Sequence, residues 1–481
     1  MIKLEPKNVW EYFEALSQIP RPSKHEKAAA DFVAAVAKKH GMPFDRDAVG
    51  NVVVRVPATK GREKSPVTVL QGHLDMVCEK NSDVKHDFMK DPIRLRVQGE
   101  VVKAAGTTLG ADNGIGVAMS LALLDEPKAV HGPLELLFTV DEETGLNGAN
   151  GLKPAFVKGR RLLNLDTEED GSIYVGCAGG QDTVMTLRLT RAKARDPRPA
   201  LTLSVTGLRG GHSGGDIHEG RGNANRILAR ALAAMTAAGV DFALVSVTGG
   251  SKRNAIPREA FAVLHVDAAG EKAAAKIIRG LQSTARAELK GVDEGVTLRL
   301  KPTKADMAAM TPASQAKVLD FLMAVPHGLI AYSRAIHGLV ETSTNFAIII
   351  TGAAKLEVGT SQRSSVMSQL DWAAKWVASI GRLSGASVKH SDAYPGWKPD
   401  LDSALLKTAK ATHKRLFKVE PKVLAIHAGL ECGIIGAKYP GMEMISIGPE
   451  IRNAHSPDEE VNVASVKKTY RYLLELLKDL A

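Results

Sequence analysis

Several short stretches of this sequence place histidine and carboxylate where they could share a cation. In QGHLDMV, His73 and Asp75 are two residues apart, so on an extended chain they point to the same side. In FTVDEETGLNGA, an apolar run from Leu134 to Val140 with one glutamate inside leads straight into Asp141, Glu142 and Glu143. Asp112 in TLGADNGIG, Asp166 after RLLNL and His455 in GPEIRNAHSP supply further donors. Neutral imidazole nitrogen and anionic oxygen suit zinc, cobalt or manganese. Cysteine is absent from the set. Cys78, Cys177 and Cys432 are widely spaced and form no CxxC pair, so neither a thiolate zinc site nor a disulfide framework is indicated.

Each of these features is weak alone. An HxD pair arises by chance, three acids after a strand pass as a solvated loop, and Asp166 lies beside Glu168, Glu169 and Asp170. Their joint placement carries the weight. In open α/β sheets ligands bind beyond the carboxyl ends of the strands, and His73, Glu142, Glu143 and Asp166 follow strand-like runs, with His455 a short loop beyond MEMISIG. If these ends converge, their negative charge needs cations to offset it. A two-metal centre is the expected solution, with Asp112 bridging ions that lie about 3.5 to 4 Å apart in such sites. Adjacent residues on an extended chain point opposite ways, so of Glu142 and Glu143 one is expected to bind metal and the other to handle protons. Zinc lowers the pKa of a water it binds to about 7, and a free carboxylate nearby could pass that water's proton to a leaving amine. The chemistry is metal-assisted hydrolysis.

The elements that must position these groups fall into two kinds. Residues 1 to 185 alternate helical and strand signals, with an amphipathic run from Val9 to Leu16, a turn at IPRPS and a capping box of Ser23 and Glu26 opening a helix that ends at Gly41. Strand-like runs follow at 51–56, 66–70, 133–140 and 161–165, with a helix near 115–124, which reads as α/β with parallel strands. From 186 to 392 strands and Ala-rich helices are interleaved as in an α+β domain, flanked by linker-like RAKARDPRP and SDAYPGWKPD. The α/β pattern resumes over 393–481. A domain inserted into a discontinuous one is the economical arrangement.

Composition limits the rest. At 481 residues, 44% hydrophobic and 24% charged, the chain can bury a sizeable core and is expected to hold two or three domains. No apolar run approaches the roughly 20 residues of a membrane-spanning helix, and the N-terminal segment lacks a secretory pattern; the cytoplasm is the expected location. The net charge of +10 comes from scattered Lys and Arg with 5% aromatic residues, so a nucleic-acid partner is not expected.

Taken in order, IPRPSKHE, QGHLDMV, GADNGIG, FTVDEETGLNGA, NLDTEE and NAHSP resemble the pattern of dinuclear zinc peptidases related to carboxypeptidase G and the aminoacylases, most of all the bacterial aminoacyl-histidine dipeptidases. The resemblance implies an α/β zinc-peptidase catalytic domain with a mainly parallel sheet flanked by helices, interrupted by an inserted α+β lid. It implies two divalent metal ions, zinc first, with cobalt or manganese as alternatives. His73, Asp112 and Asp166 would hold one, and Asp112, Glu143 and His455 the other. Glu142 would be the general base and Asp75 the residue that orients His73. The lid of relatives supplies a histidine that polarises the scissile carbonyl, for which His212 in RGGHSGGDIHEG fits better than His218. Asn254 in KRNAIP and Arg363 in TSQRSS match positions that bind the substrate backbone and carboxylate, and Glu431 in HAGLECG matches a contact to the substrate amine. The implied activity is cleavage of unblocked dipeptides, Xaa-His and others. A related aminoacylase or tripeptidase, or a noncatalytic metal- or peptide-binding protein, are the alternatives. A homodimer is compatible with it, and the lid histidine could act within one chain or across two.

One motif points elsewhere. GHSGG at 211–215 fits the G-x-S-x-G serine-hydrolase elbow, which requires a strand, a sharp turn and an immediate helix. The strand-like LTLSVTGL stops well before Ser213 and the next helical signal waits until about Asn223, so the elbow is not expected. GADNGIG lacks the Lys and Ser/Thr of a phosphate loop.

Overall fold

The computed structural model describes residues 3–193 and 196–481. The chain forms two compact units, one of Met1–Cys177, Trp397–Ala425 and Leu430–Ala481, the other of Ala178–Gly396 and Ile426–Gly429.

The first unit is built on an eight-stranded sheet. Its centre is parallel: Leu134–Thr139, Thr68–His73, Arg161–Asn164 and Glu443–Ser446 lie side by side in that order. Every residue of Thr68–His73 and of Leu134–Thr139 is buried, which is why neither alternates between apolar and polar in the way a half-exposed strand does. Antiparallel strands Val52–Val56 and Ser172–Cys177 flank this centre, and the parallel arrangement expected from the sequence holds for the strands that lead into His73, Asp141 to Glu143 and Asp166. Helix Lys7–Ser17 buries Val9, Trp10, Phe13 and Leu16, the expected amphipathic face. Helix Ala111–Ala122 breaks from helical geometry at Asp112 and Asn113, so its regular part follows the aspartate. A separate small sheet pairs Ile451–Arg452, Glu460–Asn462, Val101–Ala104 and Leu95–Gln98, and between its first two strands runs the loop that carries His455.

The second unit is α+β. Its nine-stranded sheet is joined by antiparallel pairs, with Val340–Thr351, Lys355–Ser364 and Gly179–Arg188 adjacent. Helices Ala224–Ala237, Ala268–Glu288, Pro312–Ala324 and Met367–Leu383 accompany it. The first two strands are longer than the apolar segments AIIIT and KLEVG suggest, extending through the polar stretches ETSTN and TSQRS, where Thr keeps β-propensity without strong hydrophobicity.

The boundary read from composition at 185/186 moves to 177/178, because Gly179–Arg188 pairs along its whole length with Lys355–Ser364 and belongs to the second unit from its start; the other, read at 392/393, lies four residues later, after Gly396. The segment RAKARDPRP is not a linker between units either. Arg191 donates to the carbonyls of Val245, Ala308, Gly352 and Ala353, stitching loops of the second unit together. Ala194 and Arg195 of that segment lie outside the described residues. Among the described residues no helix is long and apolar enough to cross a membrane.

Candidate metal centre and peptide site

The parallel strands deliver their carboxyl ends to one place in the first unit. Nε2 of His73 lies 3.0 Å from Oδ1 of Asp112 and 3.4 Å from Oδ1 of Asp166. Nε2 of His455 lies 3.0 Å from the other oxygen of Asp112 and 3.2 Å from Oε2 of Glu143. The five side chains expected as ligands are therefore brought together, in two trios that share Asp112, and each trio has donor atoms close enough to hold one ion. The site is enclosed on one side: the His73 side chain is 1% exposed, whereas that of His455 is 53% exposed and forms the rim.

The donor set fits divalent cations. Oε1 of Glu143 and Oδ1 of Asp166 are buried without a hydrogen-bond partner, which is costly for carboxylate oxygen unless a cation meets it. Burial pulls the His73 imidazole down, yet Asp166, Asp112 and Asp75 together push it well above its ordinary value. Hydrogen bonds to Asp112 and Glu143 push His455 up to about 11. The field that favours a proton on these nitrogens would equally favour a cation in its place, with the proton displaced.

Glu142 stands apart from the two trios, although it also lies within ligand reach of His73 and Glu143. Burial drives its carboxyl well above the usual range, and Asp166, Glu431 and Glu143 push it the same way against His73. The last group of three, Glu26, Asp75 and Asp141, is of another kind. Asp75 accepts the backbone amides of Glu142 and Glu143, each at 3.1 Å, and the Ser23 hydroxyl at 2.8 Å. Glu26 accepts the amides of Lys24 and Asp141, and Asp141 accepts from Thr144 and Asn147. These carboxylates spend their lone pairs on shaping the loop after Leu134–Thr139.

That web overturns one expectation. Ser23 and Glu26 do not form a capping box: helix Lys27–Lys39 has no side-chain cap, and both residues reach across the unit to Asp75 and to the amide of Asp141. Arg21, also in that turn and 2% exposed, donates to the carbonyls of Leu74, Asp75 and Gly110, tying the His73 loop to the Asp112 loop. Glu459 does the same for the His455 hairpin, accepting the amides of Leu109, Gly110 and Ala111 at 2.8 to 3.1 Å. None of these roles has a local signature. Asp141 and His455 have φ of 50° and 64°, left-handed values that are uncommon away from glycine and cluster at functional loops.

Glu431 opens helix Glu431–Lys438 and is fully buried. Its Oε2 accepts from Gln71 and Thr139 while Oε1 has no hydrogen-bond partner. Burial pushes its carboxyl up to about 7. Gln71 in turn accepts from Asn164, and Asn164 from Ser446, so one polar ladder crosses the parallel strands just before the acidic ends.

In the second unit, His212 is held in one tautomer. Its Nδ1 accepts the amides of Gly215 at 2.9 Å and Gly214 at 3.3 Å, which leaves the ring proton on Nε2. Burial, with the Arg363 guanidinium adding, pulls it down to about 4. Neutral His212 is therefore an N–H donor. His218 is exposed on the following turn. Arg363 is 7% exposed on Lys355–Ser364 and donates to the Tyr394 hydroxyl at 2.9 Å and to Ser213 Oγ at 3.4 Å. Ser213 thus faces a cation, and the next helix begins only at Ala224, so GHSGG is no nucleophile elbow. Asn254 is exposed on the loop before Ala255–Ile256.

The sequence reading missed His427. Residues Ile426–Gly429 leave the first unit's segments and belong to the second. The His427 ring hydrogen-bonds Ser343 Oγ at 2.7 Å, and Ser343 is paired across the sheet with Arg363. A Cβ on Gly214 would collide with the His427 carbonyl, so the turn bearing His212 needs glycine there for this strap to pass.

A mixed sheet with acid and histidine at the carboxyl ends of its parallel strands, interrupted by an antiparallel α+β unit, defines a peptidase fold. Residues 69–479 match the model of peptidase family M20/M25/M40, and the chain belongs to that family. It is 43% identical over 478 residues to the cytosol non-specific dipeptidase of Escherichia coli strain K12, covering 99% of this chain and 98% of that protein. Its fold matches the crystal structure of aminoacylhistidine dipeptidase from Vibrio alginolyticus at a TM-score of 0.89 and 41% identity, over 99% of this chain and 97% of that one. A tripeptidase structure from Staphylococcus aureus, 16% identical with a TM-score of 0.58 over 99% of both chains, shares the fold.

Proposed function

We propose that this chain is a cytosolic metallodipeptidase that cleaves dipeptides bearing a free amine and a free carboxylate, Xaa-His among them. One observation carries the reading: Asp112 offers one oxygen toward His73 and the other toward His455, each at 3.0 Å, so two ligand trios share a single carboxylate. The names of the Escherichia coli and Vibrio alginolyticus relatives, at 43% and 41% identity over nearly the whole chain, support the dipeptide class and, for the former, the cytosol.

His73, Asp112 and Asp166 would hold one divalent ion, zinc before cobalt or manganese, and Asp112, Glu143 and His455 the second. When bound, the ions polarise the scissile carbonyl and acidify the attacking water. Asp75, 3.3 Å from Nδ1 of His73, keeps Nε2 directed at Asp112 and Asp166. Glu142 takes the water's proton as the C–O bond forms and gives it to the amine nitrogen as the C–N bond breaks. His212, with its proton on Nε2, donates to the carbonyl oxygen as charge develops there. Arg363 binds the substrate carboxylate, Asn254 its backbone, and Oε1 of Glu431 its ammonium group.

The test is turnover of dipeptides, tripeptides and N-acylated amino acids by metal-stripped protein reloaded with zinc, cobalt or manganese. Cleavage confined to unblocked dipeptides and abolished by a chelator is expected. Activity on tripeptides or N-acyl amino acids alone would replace the dipeptide reading with a tripeptidase or aminoacylase one, and binding of two metals without any cleavage would remove the enzyme reading.

A further inference from the structure

His212 and Asn254 sit on different turns of the second unit, yet they form one piece. Gly211–His212 pairs antiparallel with Ala255–Ile256, with His212 opposite Ala255, and the amide of Ser213 donates to the Asn254 carbonyl at 2.8 Å. Such a two-residue ladder is too short to fix its own position. What fixes it is a side chain from the long strand Val340–Thr351. Nδ2 of Asn345 donates to the carbonyl of Arg253 at 3.1 Å and to that of Ala255 at 2.8 Å, the residues on either side of Asn254. Asn345 is 1% exposed. Two carbonyl oxygens on one terminal atom leave no ambiguity about the amide, since only its NH2 can serve both.

The strand that presents Asn345 also organises the other polar groups of this unit. Ser343, two residues earlier and so on the same face, holds the His427 ring at 2.7 Å and is the cross-strand partner of Arg363. At the other end of the loop, Gly250 has a φ of 67° and lies so close to the Ala347 carbonyl that a Cβ would overlap it. The loop carrying Asn254 is therefore clamped to Val340–Thr351 at its start and on both sides of the asparagine.

We propose that Asn345 is a positioning residue: it sets the place of Asn254 directly and that of His212 through the short ladder, and so registers both against Arg363 on the neighbouring strand. This rests on the reading of His212 and Asn254 as substrate-contacting groups. A misplacement of about 1 Å at such groups can cost about 10²-fold in rate. Asn345→Asp keeps the volume but replaces both donors with an oxygen facing two carbonyls, and Asn345→Ala removes the donors without that repulsion.

The test is a double-mutant cycle in the full-length, metal-loaded protein, combining Asn345→Ala or Asn345→Asp with Asn254→Ala. Each single variant is expected to lower kcat/KM by about 10²-fold, and the double variant by less than the product of the two losses, because the share of the Asn345 effect that passes through Asn254 is already gone and only the share that passes through His212 remains. Additive losses, or an Asn345 variant with normal kcat and KM, would overturn the proposal. Hydrogen exchange gives a readout that does not depend on turnover: the Ser213 amide should exchange faster in Asn345→Ala while amides in the core of Val340–Thr351 and Lys355–Ser364 keep their protection. Unchanged Ser213 exchange, or loss of protection throughout the sheet, would likewise overturn it. If the wild type cleaves no dipeptide, the substrate reading fails while the exchange result still decides whether Asn345 holds the loop.

Discussion

Oδ1 of Asp75 lies 3.3 Å from Nδ1 of His73, on the edge of the ring opposite the one that faces Asp112 and Asp166. The same carboxylate accepts the amides of Glu142 and Glu143. One side chain thus orients a candidate ligand and anchors the loop that carries both the second ligand and the candidate base. Burial raises its carboxyl, but the adjacent His73 and the hydrogen bond from the Glu142 amide outweigh that and hold it down at about 2. Asn at this position keeps the shape and loses the charge. Asp75→Asn is expected to weaken metal binding by about 10 to 100-fold, as loss of such supporting carboxylates does elsewhere, measured by competition with a chromogenic chelator.

Glu142 belongs to neither of the two trios that share Asp112. Glu142→Gln should leave two ions bound, by elemental analysis, and lower kcat by about 10² to 10⁴-fold, the range of general acid–base catalysis. Near-normal kcat would remove it as the base. A loss of one equivalent of metal would instead make it a ligand through its approach to His73 and Glu143.

His212 is held with Nδ1 accepting two amides, so the group left free on its ring is a neutral Nε2–H. His212→Ala should depress kcat by about 10² to 10³-fold, the scale of a lost oxyanion donor, with KM changing far less. An unchanged kcat would exclude it, and a rise in KM alone would make it a ground-state contact.

Glu459 accepts four successive amides, Leu109 to Asp112, of the loop that places Asp112, from a hairpin some 350 positions away in sequence. Hydrogen bonds to a charged group contribute about 1.5 to 3 kcal/mol each. Glu459→Gln is expected to lower the melting temperature and to weaken metal retention together, because the loops of Asp112 and His455 lose their common anchor. A lower melting temperature with unchanged metal affinity would show that the anchor serves folding alone.

Acid sensitivity should arise partly from the second unit. Burial, with Arg226 adding, lowers His327 to about 3 from an ordinary value of 6.5, and its Nδ1 accepts from Asn223. Between those values the unfolded chain binds a proton that the folded chain does not, so stability rises with pH. This contribution is complete above about pH 6.5 and is lost as pH falls toward 3. His327→Asn should shrink the drop in melting temperature between pH 7 and pH 5; an unchanged drop would assign the sensitivity elsewhere.

What could be read from the sequence follows a physical division. The parallel strands are buried apolar runs, and the donors sit at their ends, so their placement was visible as hydrophobicity breaking into acid at Asp141 to Glu143 and Asp166. Groups that act through long-range hydrogen bonds left no such trace. Ser23 and Glu26 have the spacing of a capping box and serve a different loop. Arg21, Glu459 and His427 looked like ordinary turn or loop residues, because their partners are fixed only once the chain has folded. The polar halves of two strands, ETSTN and TSQRS, carry no apolar alternation to mark them as sheet.

The central claim is that two cations lie on either side of Asp112. Anomalous diffraction from crystals of zinc-loaded protein tests it directly. The account predicts two peaks, one among His73, Asp112 and Asp166 and the other among Asp112, Glu143 and His455. A single peak, or metal bound away from Asp112, would contradict it.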